Sequence, residues 1–202
     1  MKGVFCLEGF WYGDHRDKTS VAPLLELLHR YSDMPFIHHR CATLDEFRYS
    51  LSRWKTKAFQ RRYPILYISF HGEPGMVLIG DTRIDLPELG ELLGNKCERT
   101  VIHFGCCSTL NYDKRLLQNF MERTRCLAVL GYKEDVEWLP SSAFEILLLD
   151  NLSRFPFDSK GMKDFGTEIF DMYGAHARRL DFRFVANERE HFPRRRKQVR
   201  AE

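Results

Sequence analysis

The sequence predicts an α/β domain built on a mostly parallel six-stranded sheet with helices on both faces. Short apolar runs alternate along the chain with longer segments of helical periodicity, the arrangement typical of βαβ units. Two of the runs, 65–70 and 101–104, are apolar except for one Ser and one His, as expected of strands buried on both faces. The 202 residues contain no repeat or low-complexity linker, so we predict one domain over 1–190 and a basic tail over 191–202.

The predicted strands are the short apolar runs at 3–7, 36–39, 65–70, 101–104 and 126–130, with 182–186 as an edge strand. A small hairpin is expected between 76–79 and 83–86, because Gly80 and Asp81 favour a tight turn. The helices are predicted from apolar residues spaced three and four apart, and they cover 21–31, 43–57, 86–93, 113–123, 141–152 and 162–180.

Helix starts are predicted from residues whose side chains accept a hydrogen bond from the first turn. Thr19 or Ser20 is expected to cap the first helix. Thr43 opens the second helix, with a glutamate three residues later at the spacing of a capping box. Ser141 or Ser142 is expected to cap the helix that runs to about residue 152.

The composition indicates a globular protein, with 44% hydrophobic and 29% charged residues. No apolar run approaches the roughly 18–20 residues that a membrane-spanning helix needs, and the first residues turn polar too quickly for a signal peptide. The six cysteines form no CxxC pair, so we expect neither zinc nor a disulfide framework. The sequence thus favours a cytoplasmic protein with no metal or other cofactor.

The formal net charge of +3 is unevenly distributed. The tail over 191–202 carries five Lys or Arg and one Glu, which leaves the rest of the chain close to neutral. A short basic terminus is usually solvated, and no nucleic-acid motif accompanies it. We therefore do not expect nucleic-acid binding.

Two strand ends carry residues capable of catalysis. The run at 65–70 stops at His71 and Gly72, and the run at 101–104 is followed by Cys106 and Cys107. Parallel strands deliver such residues to the carboxyl edge of the sheet, where open α/β sheets place their sites. A thiol beside an imidazole is a nucleophile near neutral pH, and the amide of a glycine can approach a developing oxyanion. The pair predicts a cysteine hydrolase.

The sequence leaves the choice between the two adjacent cysteines open. Neighbouring residues of an extended chain point to opposite faces, so only one of Cys106 and Cys107 is expected to address His71. The other then packs as a small apolar side chain. His103 lies within the strand before the cysteines and is interpreted as a core histidine.

These residues resemble the caspase-like cysteine peptidases, a group that includes caspases, metacaspases, separase and the CHAT-type proteases. Those proteins place His-Gly after one strand of a caspase–hemoglobinase sheet and a cysteine after the next main strand. The segment FGCCST resembles the metacaspase and CHAT patterns, which implies that Cys107 is the nucleophile. A separase-like alignment would choose Cys106 instead. The resemblance covers about residues 3–186 and implies a caspase–hemoglobinase-like fold.

The resemblance also implies a function and a set of roles. Cys107 would attack the scissile carbonyl, His71 would transfer protons, and the amides of Gly72 and Cys107 would hold the oxyanion. The pocket for the residue before the cut would favour Lys or Arg through carboxylates. Its expected lining is Glu8, Asp14, Gly105, Glu134, Asp135 and Trp138. Metacaspases carry an aspartate where this chain has Gly105. The aromatic residues at 10–12 either line the cleft or cover the core.

The expected activity is that of an endopeptidase acting on a protein or peptide substrate. The resemblance suggests a role in prokaryotic signalling or defence, which is compatible with a regulatory protein partner. Two alternatives stay open from the sequence. One is a non-catalytic binding or regulatory module of the same fold, and the other is a thiol hydrolase that does not cleave peptides.

Overall fold

The computed structural model describes residues 1–12 and 16–187. Asp14 and the tail over 191–202 lie outside the described residues. The main sheet has six strands in the order β2-β1-β3-β7-β8-β9. Their bounds are β1 Val4–Glu8, β2 Phe36–Arg40, β3 Ile65–Ser69, β7 Val101–Phe104, β8 Ala128–Tyr132 and β9 Phe182–Ala186. A second sheet is formed by β4 His71–Glu73, β5 Met76–Ile79 and β6 Thr82–Asp85.

The first five strands of the main sheet are parallel, and β9 closes one edge antiparallel to β8. Every residue of β1, β3, β7 and β8 is buried, in agreement with the mostly apolar runs of the sequence. The prediction of a mostly parallel six-stranded sheet with a final edge strand is confirmed.

The described residues form seven helices. They are α1 Ala22–Ser32, α2 Leu44–Trp54, α3 Lys57–Arg62, α4 Leu86–Leu93, α5 Lys114–Thr124, α6 Trp138–Arg154 and α7 Ser159–Arg179. Helices α2, α4 and α5 bury their apolar sides on one face of the main sheet. Helices α1, α6 and α7 do so on the other face. The sheet therefore divides the core into two layers. The helices cover both faces of the sheet, so a site can form only at the ends of the strands.

The helix starts agree with the sequence only in part. The capping box of α2 is present, with the Thr43 side chain accepting from the Glu46 amide. For α1 the N-cap is Val21 and neither predicted residue, although the Ser20 hydroxyl accepts from the amide of Ala22, the first residue of the helix, and also donates to Glu8. The prediction for α6 is wrong. The helix begins at Trp138, so Ser141 lies inside it and its hydroxyl donates to the Glu137 carbonyl.

Two further elements differ from the sequence-based expectation. The predicted helix over 43–57 ends at Trp54, because extended backbone at Thr56 separates it from α3. The predicted two-stranded hairpin is a three-stranded sheet whose first strand, β4, begins at His71. Gly75 and Gly80 occupy the two turns with φ of 73° and 57°, which favours glycine. Among the described helices, none is long and apolar enough to cross a membrane.

Candidate active site

His71 is held at the carboxyl end of β3, where the chain leaves the main sheet and enters β4. The side chain is exposed, and its Nε2 lies 2.6 Å from the Trp11 carbonyl oxygen. A carbonyl can only accept, so Nε2 donates this hydrogen bond. In the neutral imidazole, Nδ1 is then the nitrogen with a free lone pair, and the tautomer suits proton transfer through Nδ1.

Cys106 is a structural residue. Its side chain is completely buried, and its thiol donates to the Ile68 carbonyl at 3.2 Å. Burial raises the pKa of this thiol to about 12. A nucleophile must reach a substrate and ionise, and Cys106 is placed to do neither.

Cys107 differs from the other thiols of the chain. All six cysteines lie in the described residues, and Cys107 alone is partly exposed while five are buried. Its sulfur lies 4.0 Å from the Val136 carbonyl. Desolvation raises the pKa of the thiol; the Val136 contact opposes this shift and the Asp135 carboxylate adds to it. Cys107 is therefore a protonated, accessible thiol that needs a base to become a nucleophile.

Gly72 shows how closely the two strand ends approach each other. A Cβ built on Gly72 would lie 2.3 Å from the Cys107 carbonyl oxygen and 2.9 Å from the Cys106 Cβ. Only glycine fits such a contact. The parallel register is consistent with it, because Ile68 of β3 stands opposite Phe104 of β7. The structure thus brings the His71–Gly72 and Cys106–Cys107 segments together, as the sequence predicted.

Two tryptophans form one wall of the site. The Trp11 ring lies edge-on to His71 at 5.1 Å between centroids and edge-on to Trp138 at 4.9 Å. Trp138 is the first residue of α6 and is 40% exposed. The sequence left the role of the aromatic residues at 10–12 open, and Trp11 proves to lie at the site. The role of its carbonyl has no sequence signal, since any residue carries one.

Glu8 does not line an open pocket, contrary to the expectation from sequence. Its carboxylate is fully buried at the end of β1 and accepts four hydrogen bonds. The donors are Trp11 Nε1, the Ser20 hydroxyl, the Val21 amide and His38 Nε2, at 2.6–2.9 Å. Burial alone would raise the pKa of Glu8, but these hydrogen bonds lower it below its ordinary value. The carboxylate fixes Trp11, and through that residue it supports His71.

The acidic segment after β8 does lie beside the nucleophile candidate. Ser108 donates its hydroxyl to Asp135 at 2.8 Å and its amide to the Glu134 carbonyl at 3.2 Å. Both Glu134 and Asp135 are exposed. Ser108 has a φ of 56°, so the chain turns sharply right after Cys107. The structure thus brings two of the predicted pocket carboxylates to the site, while Asp14 lies outside the described residues.

Gly105 is required by packing. A Cβ at this position would lie 2.4 Å from the Tyr67 ring. Any side chain at this position, aspartate included, would collide with Tyr67.

A buried polar network that the sequence did not reveal lies behind Tyr67. The Glu145 carboxylate of α6 accepts from the Tyr67 hydroxyl, the Tyr132 hydroxyl and His103 Nε2 at 2.5–3.2 Å. Burial raises the pKa of both tyrosines well above the ordinary value, so they act as donors. His103 is fully buried, as expected of a core histidine. The network ties α6, and with it Trp138, to three strands of the sheet.

Comparison with known sequences places the chain in a family. The family's sequence profile matches residues 1–185, which is most of the chain. The chain belongs to the DUF6642 family. This is a family of unknown function. A comparison with curated proteins gives no match. Within residues 1–12 and 16–187, no group of three or more His, Cys, Asp or Glu could hold a metal ion.

Proposed function

We propose that this DUF6642 protein is a cysteine endopeptidase with a caspase–hemoglobinase-like fold, in which Cys107 is the nucleophile and His71 the proton carrier. The observation that carries the proposal is the contact of Gly72 with the backbone of Cys107. It joins the strand end that bears an imidazole to the one partly exposed thiol of the chain. The order of the elements adds support, with His-Gly after β3 and the cysteine after β7.

Acylation begins with the transfer of the Cys107 proton to His71. The sulfur attacks the scissile carbonyl carbon, an S–C bond forms, and the carbonyl π electrons move to oxygen. The amides of Gly72 and Cys107 are suited to hold the resulting oxyanion. Collapse of this intermediate breaks the C–N bond, and His71 gives its proton to the departing amine. The raised pKa of Cys107 makes His71 necessary, since the thiol is protonated at neutral pH.

Deacylation uses the same two side chains. A water molecule gives one proton to His71 while its oxygen attacks the thioester carbon. Breaking the S–C bond releases the carboxylic acid, and the sulfur recovers its proton from His71. The hydrogen bond from Nε2 to the Trp11 carbonyl keeps the ring in place through both steps. The Trp11 ring, which is edge-on to both His71 and Trp138, covers one side of the imidazole.

The preferred residue before the cut is basic. Asp135 lies beside Cys107 through its contact with Ser108, and Glu134 is its neighbour. Both carboxylates are exposed, so each contributes only about 0–1 kcal/mol to selectivity. The resulting preference for Lys or Arg is at most about fivefold per carboxylate. By resemblance alone, the substrate would be a partner protein in cytoplasmic signalling or defence.

The test uses peptidyl electrophiles that end in Lys, Asp or Leu, followed by peptide mapping. The proposal expects a single adduct on Cys107 and fastest labelling by the lysine probe, together with cleavage of a peptide library after basic residues. A folded protein that reacts with none of the probes would instead be a non-catalytic module. Turnover of thioesters without peptide cleavage would identify a thiol hydrolase.

A further inference from the structure

We propose that the chain binds a small ligand with two or more adjacent phosphate groups, in a basic cavity at the amino edge of the main sheet. The cavity has a volume of about 680 Å³, which lies in the range of small-molecule sites. Among the described residues, seven Lys or Arg and a single carboxylate line it. This site is separate from the dyad and does not depend on the proposed peptidase activity.

The position of the cavity follows from the strand direction. Most of its lining comes from segments that immediately precede the parallel strands: Lys2 precedes β1, the residues at 57–64 precede β3, those at 95–99 precede β7, and Arg125 precedes β8. The amino ends of parallel strands all meet at one edge, so residues far apart in sequence converge there. The dyad lies at the opposite ends of β3 and β7.

Among the described residues, carboxylates balance only part of the charge of the cavity, with Asp158 acting on Lys2. The single lining carboxylate, Glu98, pairs with Arg125 at 2.5 Å. Lys57, Arg61, Lys96 and Arg99 make no ion pair with any residue in 1–12 or 16–187. Cations that converge in this way repel one another unless an anion lies between them.

Helix ends account for only part of this charge. Lys96 and Arg125 follow the carboxyl ends of α4 and α5, and Arg61 lies in the last turn of α3, where the helix dipole favours cations. Lys57 is the first residue of α3, where the dipole disfavours a cation. Arg99 has a φ of 59° in the turn before β7. Neither of these two cations stabilises the carboxyl end of a helix, and both line the cavity.

The chemistry of the lining selects phosphate groups. Arginine binds phosphate oxygens in pairs, and lysine adds a point charge. Several such groups from different elements suit adjacent phosphates better than a single one. Pro64 and Phe157 add apolar surface, and Asn95 adds an amide. A compact organic group attached to the phosphates would find contacts there. The concave lining favours a small ligand over a nucleic-acid duplex.

The experiment measures binding of ATP, inorganic tripolyphosphate, adenosine and a single-stranded oligonucleotide to the full chain by calorimetry. ATP and tripolyphosphate should bind, adenosine should not, and raising the salt concentration should weaken the binding. The variant Arg61→Glu/Lys96→Glu should lose at least about tenfold in affinity, since it removes two charged donors to phosphate oxygens and adds two repelling carboxylates. Circular dichroism checks the fold of each variant.

Two matched variants complete the design. Arg30→Glu/Lys163→Glu makes the same change in net charge at exposed positions of α1 and α7, and should retain affinity within about twofold. Arg195→Gln/Arg196→Gln reduces the charge of the basic tail and should also retain it. The proposal is overturned if neither polyphosphate binds, or if only the oligonucleotide binds. It is equally overturned if the tail variant loses affinity while the cavity variant keeps it.

Discussion

At the carboxyl ends of β3, β7 and β8 the chain places an imidazole, a partly exposed thiol and two exposed carboxylates, whereas most of the seven Lys or Arg around the cavity precede the amino ends of β1, β3, β7 and β8. The near-neutral charge of the chain outside its tail hides this difference. Net charge alone is therefore a poor guide to the partners of the protein, because the fold places acidic and basic residues at opposite ends of the strands.

The two edges also differ in how their polar side chains are supported. At the carboxyl edge, Glu8 and Glu145 are buried and each accepts at least three hydrogen bonds, which fix Trp11 and α6. At the amino edge the side chains of Lys57, Arg61 and Arg99 are exposed and lack ion pairs with the described residues. A preorganised edge suits chemistry, whose geometry must be held. An exposed cationic edge suits a ligand that supplies its own counter-charges.

The largest expected effect separates the two edges completely. Cys107→Ala should abolish peptide cleavage and labelling by peptidyl electrophiles, because it removes the only accessible thiol. It should leave the affinity for tripolyphosphate unchanged. Cys106→Ala is the matched control and should keep most of the labelling, at some cost in stability from a small buried cavity. Loss of labelling in Cys106→Ala but not in Cys107→Ala would reverse the assignment of the nucleophile.

The second prediction compares the stability of polar contacts at the two edges. Glu145→Ala leaves three buried donors without an acceptor, so it should lower the free energy of unfolding by about 3 kcal/mol or more. Arg125→Ala breaks the exposed pair with Glu98 and should cost at most about 1 kcal/mol. For a chain of this length, thermal melts should show a loss of roughly 6–12 °C for the first variant and under 4 °C for the second. Equal, small losses would contradict a structural role for the Glu145 network.

The sequence was sufficient for the parallel sheet and for bringing the His71–Gly72 and Cys106–Cys107 segments to its carboxyl edge. Buried parallel strands appear as continuous apolar runs, and their ends can be read directly from where His71 and Cys107 follow them. The choice between the cysteines needed coordinates, because burial of Cys106 depends on its contact with Ile68 of another strand. Glu8 was misplaced for a similar reason. In a sequence, a carboxylate at the end of a strand predicts a site whether that carboxylate is open to solvent or already accepts its full set of hydrogen bonds from the protein.

The basic cavity could not be predicted from sequence. Its cations are dispersed from Lys2 to Arg125, and no local motif unites them. Several of them follow helices, a pattern that is usual at helix ends. The strand order brings them together, and strand order is a property of the fold. The Glu145 network was missed similarly, since its members come from β3, β7, β8 and α6.

The smallest expected effect concerns pH at the carboxyl edge. The carboxylate of Asp135 contributes to the raised pKa of the Cys107 thiol, so Asp135→Asn should lower that pKa toward its ordinary value. Iodoacetamide reacts with the thiolate, and its rate rises as pH increases through the thiol pKa. The midpoint of this rise should therefore move to lower pH in the variant, with faster alkylation at neutral pH.

The neighbouring carboxylate provides the matched control for this measurement. Glu134 is also exposed but is not among the groups that raise the pKa of Cys107, so Glu134→Gln should leave the midpoint where it is. Iodoacetamide is uncharged, which separates an effect on the thiol from an effect on binding a basic substrate. A shift of the Asp135→Asn midpoint to higher pH, or equal shifts in both variants, would show that Asp135 does not act on the sulfur directly. The acidic segment would then serve substrate binding alone, and the thiol pKa would be set by burial.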